Sequence, residues 1–266
     1  MDGNGTQYGR ALVTGASSGI GAELARILAA RKHPLVLAAR SQDKLESLAA
    51  ELVSGHGILV DVIPVDLADS AGPDQLARTL RERQLEVSVL VNNAGVASHG
   101  PFAESDLRRQ LAMLQLNVVS LTHLTRLLLP TMLERRAGRI LNVASTAAFA
   151  PGPFMAVYYA SKAYVLSLSV ALRNELAKSG VTVTTLCPGP THTRFAATAG
   201  VERTRLFRMS VMEPAEVARA GYAGMMAGRA IVVPGLLNRV IAGSSHLAPR
   251  RLVAQIARTL QDPKDA

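Results

Sequence analysis

The chain has 266 residues, 48% of them apolar, which is within the range of a single α/β domain and enough to bury a substantial core; no linker divides it, so residues 1–266 are expected to fold as one domain. Its 29 Lys and Arg against 20 Asp and Glu give a formal charge of +9, a balance that could suit nucleic acid, an anionic membrane or an anionic small ligand. The basic residues are scattered, without a run of five, there is no Trp, and the Phe and Tyr are not interleaved with them, so a base-stacking surface is excluded and no nucleic-acid partner is expected.

The N-terminus, MDGNGTQYGR, has no apolar signal core, which predicts a soluble, cytoplasmic protein. From Arg10 onward short β-type runs alternate with longer amphipathic ones. ALVT, PLVLAA, GILVDVIPV, VSVLVNN, RILNVAS, VTVTTLC and AIVVP read as seven strands, and segments such as GAELARILAARK, SQDKLESLAAELVS and YYASKAYVLSLSVALRNELAKSG read as helices. Fully apolar strands imply a sheet covered on both faces. The pattern predicts a doubly wound α/β fold of the Rossmann type, with a seven-stranded, mostly parallel sheet and ligands beyond the carboxyl ends of the strands.

The first strand runs into TGASSGIG, where Gly15, Gly19 and Gly21 permit positive φ or close backbone approach. Ser17, Ser18 and Ile20 lie in the same turn, and the N–H groups of the helix that starts there can hold a pyrophosphate. The spacing differs from the common G-x-G-x-x-G, and a tight β–α turn would look alike. After the second strand the chain reads VLAARSQ. Ala39 stands where an acid would bind a ribose 2′-hydroxyl, and Arg40 with Ser41 suits a 2′-phosphate, which favours NADP, unless Arg40 merely faces solvent. Asp66 and Leu67 after the third strand can bracket adenine. Asn92 to Gly95 after the fourth, with Asn93 and Ala94 between, offers amides and a glycine that lets a cofactor near the backbone. Alone, either is an ordinary turn.

The longest uncharged stretch, Ile140 to Ser161, contains Pro151, Gly152 and Pro153, so it cannot run as one membrane helix, and no integral membrane segment is expected. It carries Ser145, and it leads into Tyr158 and Lys162. Residues at i and i+4 share a helix face, so the phenol and the ammonium can point into one pocket, whereas Tyr159 points about 100° away. A phenol exchanges protons poorly at neutral pH unless a cation favours the phenolate, and Lys162 is placed to supply one. Without that pair, Ser145 reads as a helix N-cap. Cys187, the single cysteine, excludes an intrachain disulfide and agrees with a reducing compartment. No metal-binding set is expected.

Taken in order, TGASSGIG, NNAG, Asn117 in LQLNVVS, Ser145, YYASK and CPGPTHT resemble the short-chain dehydrogenase/reductase superfamily over about residues 8–235. The resemblance implies that Ser145 orients the substrate oxygen, Tyr158 exchanges its proton, and Lys162 holds the nicotinamide ribose and lowers the phenol's pKa. It implies that Asn117 holds a proton-relay water. It also implies that Pro188, Gly189, Thr191 and Thr193 bind the carboxamide, with transfer of the pro-S hydride. The expected activity is that of an NADPH-dependent carbonyl reductase, or in reverse an alcohol dehydrogenase, in which the cofactor carries the hydride and the protein positions it and supplies a proton. The alternatives are an NAD-linked sugar or steroid alcohol dehydrogenase and a non-catalytic, NADP-sensing binding protein.

Phe149, Phe154 and Met155 make one apolar wall of the expected substrate pocket, and residues 190–212 form its lid, placing Phe195, Leu206, Phe207, Met209 and Met212 over the cleft. Such a site favours a hydrophobic ketone or alcohol, although the same residues could bury a subunit interface. Arg194 and Arg205 could instead hold an acidic group. The chain continues as an extension, residues 236–266, whose basic amphipathic part opens at Pro249 and carries Arg250, Arg251 and Arg258. It reads as a helix packed on its own domain, a dimer contact or a weak membrane-surface anchor. A homo-oligomer, dimer or tetramer, is expected.

Overall fold

The computed structural model describes residues 9–193, 199–201, 204, 205, 207, 211–244 and 249–262. Seven strands form one sheet: β1 Arg10–Thr14, β2 Leu35–Ala39, β3 Val60–Pro64, β4 Val87–Asn92, β5 Gly138–Val143, β6 Val181–Leu186 and the two-residue β7 Ile231–Val232. Their spatial order is β3-β2-β1-β4-β5-β6-β7. Every pairing is parallel, so the sheet expected to be mostly parallel is wholly so. Strand order reverses between β1 and β4, which opens a crevice beyond their carboxyl ends.

Strand alternation divides the core. Ala11 and Val13 pack on one face of β1 with Leu24 and Leu28 of α1 (Gly19–Ala30), Leu45 and Leu52 of α2 (Gln42–His56) and, further along the chain, Val217. Leu12, between them, packs on the other face with Leu76 and Leu80 of α3 (Gly72–Glu82) and with Leu124. A period of two on the strands thus meets helices on both sides, which is why the strands read as almost uninterrupted apolar runs.

After β4 the chain forms a long helix in three parts: α4 Leu107–Leu114, a π-helical segment Gln115–Ser120, and α5 Leu121–Glu134. Asp106 caps its start, accepting from the Arg108 N–H at 2.8 Å. Among the described residues this helix, Leu107–Glu134, is the one long and apolar enough by composition to cross a membrane. Here it lies on the sheet, burying Met113, Leu121, Leu124 and Met132. A 3-10 turn, Thr146–Phe149, and α6 Ala156–Glu175 follow β5. The remaining described helices are α7 Pro214–Met226, α8 Leu236–Ser244 and α9 Arg250–Gln261.

Candidate active site

One cavity of about 370 Å³ opens beyond the carboxyl ends of the strands and runs from the turn after β1 to the C-terminal helix. Of the residues expected to hold a cofactor, all but Gly21 line it. Gly15 and Gly19 adopt positive φ, 65° and 58°, and open α1 toward the cavity so that its first N–H groups face outward from the helix. Gly21 contributes behind the loop, where a Cβ would stand 2.4 Å from Asn93 Nδ2 and 2.5 Å from the Gly15 carbonyl.

The NNAG turn is fixed to this loop. Thr14 Oγ1 accepts from the Asn93 and Ala94 N–H groups at 3.0 and 3.1 Å, and Asn93 Nδ2 donates to the Thr14 and Gly15 carbonyls at 2.9 and 3.2 Å. Asn92 Nδ2 donates to Thr125 Oγ1 and to Asn142 Oδ1, each at 2.9 Å. The amides expected to face a ligand therefore spend their N–H groups on the scaffold. What the turn presents is the backbone of Ala94 and Gly95; a Cβ on Gly95 would lie 3.2 Å from Asn117 Oδ1 and 3.4 Å from Lys162 Nζ.

At the β2 end the cavity is exposed and charged. The Arg40 side chain is 71% exposed and stands 3.9 Å from Asp66, whose other oxygen accepts from the Ala68 N–H at 2.9 Å. Ala39 and Ser41 line the same edge. A glycine-lined turn at a helix start, one guanidinium and a hydroxyl form a cradle whose donors suit a dinucleotide with a 2′-phosphate.

The other end is buried. Tyr158 and Lys162 on α6 are 8% and 5% exposed. Lys162 Nζ donates to the Val143 carbonyl at 2.9 Å and lies 5.8 Å from the centre of the Tyr158 ring. Burial pushes the Tyr158 phenol up from its usual value, and a hydrogen bond with Ser145 offsets part of that rise. Burial lowers Lys162 to about 8 and raises the Cys187 thiol to about 12. Burial dominates the phenol, and what lowers it here is the Ser145 hydrogen bond rather than the ammonium expected to depress it. Ser145 carries both of its readings: its hydroxyl caps the 3-10 turn, accepting from the Ala147 N–H at 3.1 Å, and it donates to the Pro188 carbonyl at 3.4 Å from the cavity wall.

Asn117 sits in the π-helical segment and is not among the cavity-lining residues. Its side chain accepts from the Val96 N–H at 3.0 Å and donates to the Val96 carbonyl at 2.9 Å and to Ser161 Oγ at 3.1 Å. The amide is consumed in joining the long helix to the NNAG turn and α6. Thr191 Oγ1 donates to the Gly189 carbonyl at 2.9 Å, shaping the turn after β6.

The expected substrate wall is partly rearranged. Met155 and Phe207 line the cavity; Phe149 and Phe154 do not. Phe149 packs beside Leu121, Ala144 and Val165. Phe154 sits against His99, ring centres 6.2 Å apart, with the Arg258 guanidinium 5.3 Å above it. Met212 packs on the α1 side of the core and Arg205 is exposed, so neither stands over the cleft. Phe195, Leu206, Met209 and Arg194 lie outside the described residues. Tyr159, expected to point elsewhere, lines the cavity beside Tyr158, their ring centres 6.1 Å apart. Gln261 at the end of α9 lines it too and donates to the Tyr159 hydroxyl at 2.7 Å. The extension therefore docks on its own domain at the end of the cavity that holds Tyr158 and Tyr159. No local signal marks Gln261, because its role depends on where a helix 102 residues away lands.

Residues 10–203 match the short chain dehydrogenase family. A very-long-chain 3-oxoacyl-CoA reductase of Phaeosphaeria nodorum is 40% identical over 178 residues, 65% of this chain and 52% of that protein, so the chain matches about half the length of this relative. A short-chain dehydrogenase of Sphingobium yanoikuyae, solved in complex with NADPH, superposes with a TM-score of 0.80 at 34% identity, covering 90% of this chain and 94% of that one. The bulky-bulky ketone specific alcohol dehydrogenase of Comamonas testosteroni superposes with a TM-score of 0.77 at 30% identity, covering 91% and 94%.

Proposed function

The chain belongs to the short-chain dehydrogenase/reductase family, and from that premise we propose that it is an NADPH-dependent carbonyl reductase, or in reverse an alcohol dehydrogenase, acting on a hydrophobic ketone or secondary alcohol. The observation that carries the proposal is one cavity joining the Gly15–Ile20 turn and Arg40 at one end to Ser145, Tyr158 and Lys162 at the other. When bound, the nicotinamide cofactor supplies or accepts the hydride.

The protein's own residues do the rest. Tyr158 is the proton donor in reduction; a phenol pushed up by burial is protonated at neutral pH, which is the form that donation needs. Ser145 presents its hydroxyl to the substrate oxygen. Lys162, with a pKa of about 8, is mostly charged at pH 7 and is placed to hold the ribose hydroxyls. Asn117 acts through the scaffold, keeping the NNAG turn and α6 in register. Met155 and Phe207 favour a hydrophobic substrate.

Arg40 in place of an acid supports NADP over NAD, as does the NADPH complex of the Sphingobium relative. The name of the Comamonas relative supports a bulky ketone as substrate. We also propose a homo-oligomer, supported by Leu107, Leu111 and Val119 exposed on one long helix, and a reducing, cytoplasmic setting, supported by the lone buried Cys187.

The test is to follow NADPH and NADH oxidation against a panel of aliphatic and aryl ketones. Turnover of a bulky ketone with NADPH preferred is expected. No turnover of any ketone with either cofactor would sink the reading.

A further inference from the structure

We propose that the outward faces of α8 and α9 form a docking surface for an anionic lipid bilayer, on which the protein lies peripherally. The proposal goes beyond the carbonyl-reductase reading and does not depend on it.

α8 is an amphipathic helix turned inside out. Leu236, Leu237, Val240 and Ile241 have the i, i+1, i+4, i+5 spacing that puts them on one face, and all four are exposed, by 40% to 76%. Its inner side is Asn238 and Ala242, both buried. Asn238 holds that side down: its Nδ2 donates to the Pro234 carbonyl at 2.8 Å, and Gly189 leaves no room for a Cβ against its amide. A polar residue thus fixes which face points inward, and the apolar stripe is left outside. α9 repeats the arrangement. Val253, Ala254, Ala257, Leu260 and Gln261 are its sheltered positions, while Leu252 and Ile256, one turn apart, are 48% and 52% exposed. Both helices rest on the segment from Thr146 to Met155. α8 packs on the 3-10 turn Thr146–Phe149, and Arg258 of α9 lies 5.3 Å above the Phe154 ring. The two outward faces therefore border the same end of the cavity, which Thr146, Ala147 and Met155 line.

Charge decides what covers them. From Val217 to Gln261 the chain has six Arg and no Asp, Glu or Lys, and residues 146–155 carry no charge at all. Arg239, Arg250 and Arg251 are exposed, and among the described residues none of them pairs with a carboxylate. A two-fold dimer through this face would bring these arginines toward their own copies. An anionic headgroup layer instead matches the charge, and the acyl boundary beneath it takes the apolar stripe. At nine and twelve residues the helices are too short to span a bilayer, so they lie in its interface. Anionic lipid is what a cytoplasmic leaflet presents, which agrees with the setting proposed above.

The test is to sediment the full-length protein with vesicles of phosphatidylcholine alone and with vesicles in which roughly a third of the lipid is phosphatidylglycerol. Partitioning into the anionic vesicles should be at least ~10-fold stronger, and the difference should vanish near about 1 M salt. Replacing Leu236 and Val240 together by Gln, L236Q/V240Q, should weaken partitioning by ~10-fold. Melting temperature and oligomeric state should stay as in the wild type, since neither side chain is buried. R250Q/R251Q should remove most of the preference for anionic lipid and leave the weak binding to neutral vesicles as it was. No binding of the wild type to either vesicle, or equal binding to both, overturns the proposal without any variant. So does an L236Q/V240Q protein that binds vesicles as the wild type does but splits a wild-type oligomer on ultracentrifugation, because the face then belongs to a second copy of the chain.

Discussion

The two ends of the cavity are built on opposite electrostatic terms. At the β2 end, Arg40 and Asp66 are 71% and 48% exposed and 3.9 Å apart, so water and salt screen whatever they do. At the α6 end, Tyr158 and Lys162 are almost fully buried, and burial is the largest cause driving the phenol up and the ammonium down to about 8. The exposed end can discriminate between cofactors by modest charge preferences; the buried end can hold a proton where water cannot take it. Changes at the buried end should therefore be large and insensitive to salt, and changes at the exposed end small and salt-dependent.

The strongest way to break this contrast is Tyr158→Phe, which removes the proposed proton donor and keeps the ring. Reduction should slow by at least ~100-fold, the scale of general acid catalysis, while NADPH affinity stays within ~2-fold. Turnover near wild type would mean that the proton comes from elsewhere.

Lys162→Met separates function from stability at the same end. A fall from 10.5 to about 8 means that the folded, cofactor-free protein holds this proton less tightly than the unfolded chain does. The sign follows: below about pH 8 the buried charge is a penalty on the order of 3 kcal/mol, relieved as pH rises from about 8 to 10.5. Losing the 2.9 Å bond to the Val143 carbonyl offsets roughly 1 kcal/mol of the gain. The cofactor-free variant should thus melt a few degrees higher than wild type at pH 7, and the gap should close toward pH 10, while NADPH binding and turnover fall. A gap that does not change with pH in thermal melts would place the lysine's charge outside the buried environment described here.

The same contrast governs what could be read from the chain alone. Strands, helix starts and the Gly15–Gly21 turn were legible because alternation, periodicity and glycine chemistry are local. Arg40 and Asp66 were legible as positions, since each follows a strand directly. Tyr159 and Gln261 were not: their meeting is set by the docking of α9 through His99 and Phe154, contacts that no local pattern encodes. Phe149 and Phe154 carried the right chemistry for an apolar wall, but composition does not say which neighbour an apolar ring will choose. Asn117 was visible as an amide in the right segment, while the π-helical turn that commits it to Val96 and Ser161 depends on the fit of the long helix against the NNAG turn.

At the exposed end, Arg40→Asp replaces the guanidinium proposed to bind the 2′-phosphate with a carboxylate that can bond a free ribose hydroxyl. The kcat/KM ratio of NADPH to NADH should drop by ~10-fold, the worth of one partly exposed charge-assisted bond. That drop should shrink in high salt. A wild-type enzyme that already prefers NADH would show that Arg40 faces only solvent.

Asp66→Asn should have the smallest effect and marks the lower limit of the contrast. The substitution keeps an oxygen able to accept from the Ala68 N–H, so the turn after β3 should hold its shape. What it removes is a negative charge beside Arg40, at the edge where a 2′-phosphate would sit. The exposed pair it breaks is worth little, and the repulsion it relieves is screened, so NADPH should bind tighter by no more than ~3-fold at low salt and indistinguishably from wild type near 1 M salt. NADH, with no phosphate at that position, should be unaffected. Titration of both cofactors at the two ionic strengths checks this directly. A tightening that persists in high salt, or that appears equally for NADH, would mean that Asp66 acts through the adenine rather than the phosphate, and the exposed end would then owe its selectivity to shape more than to charge.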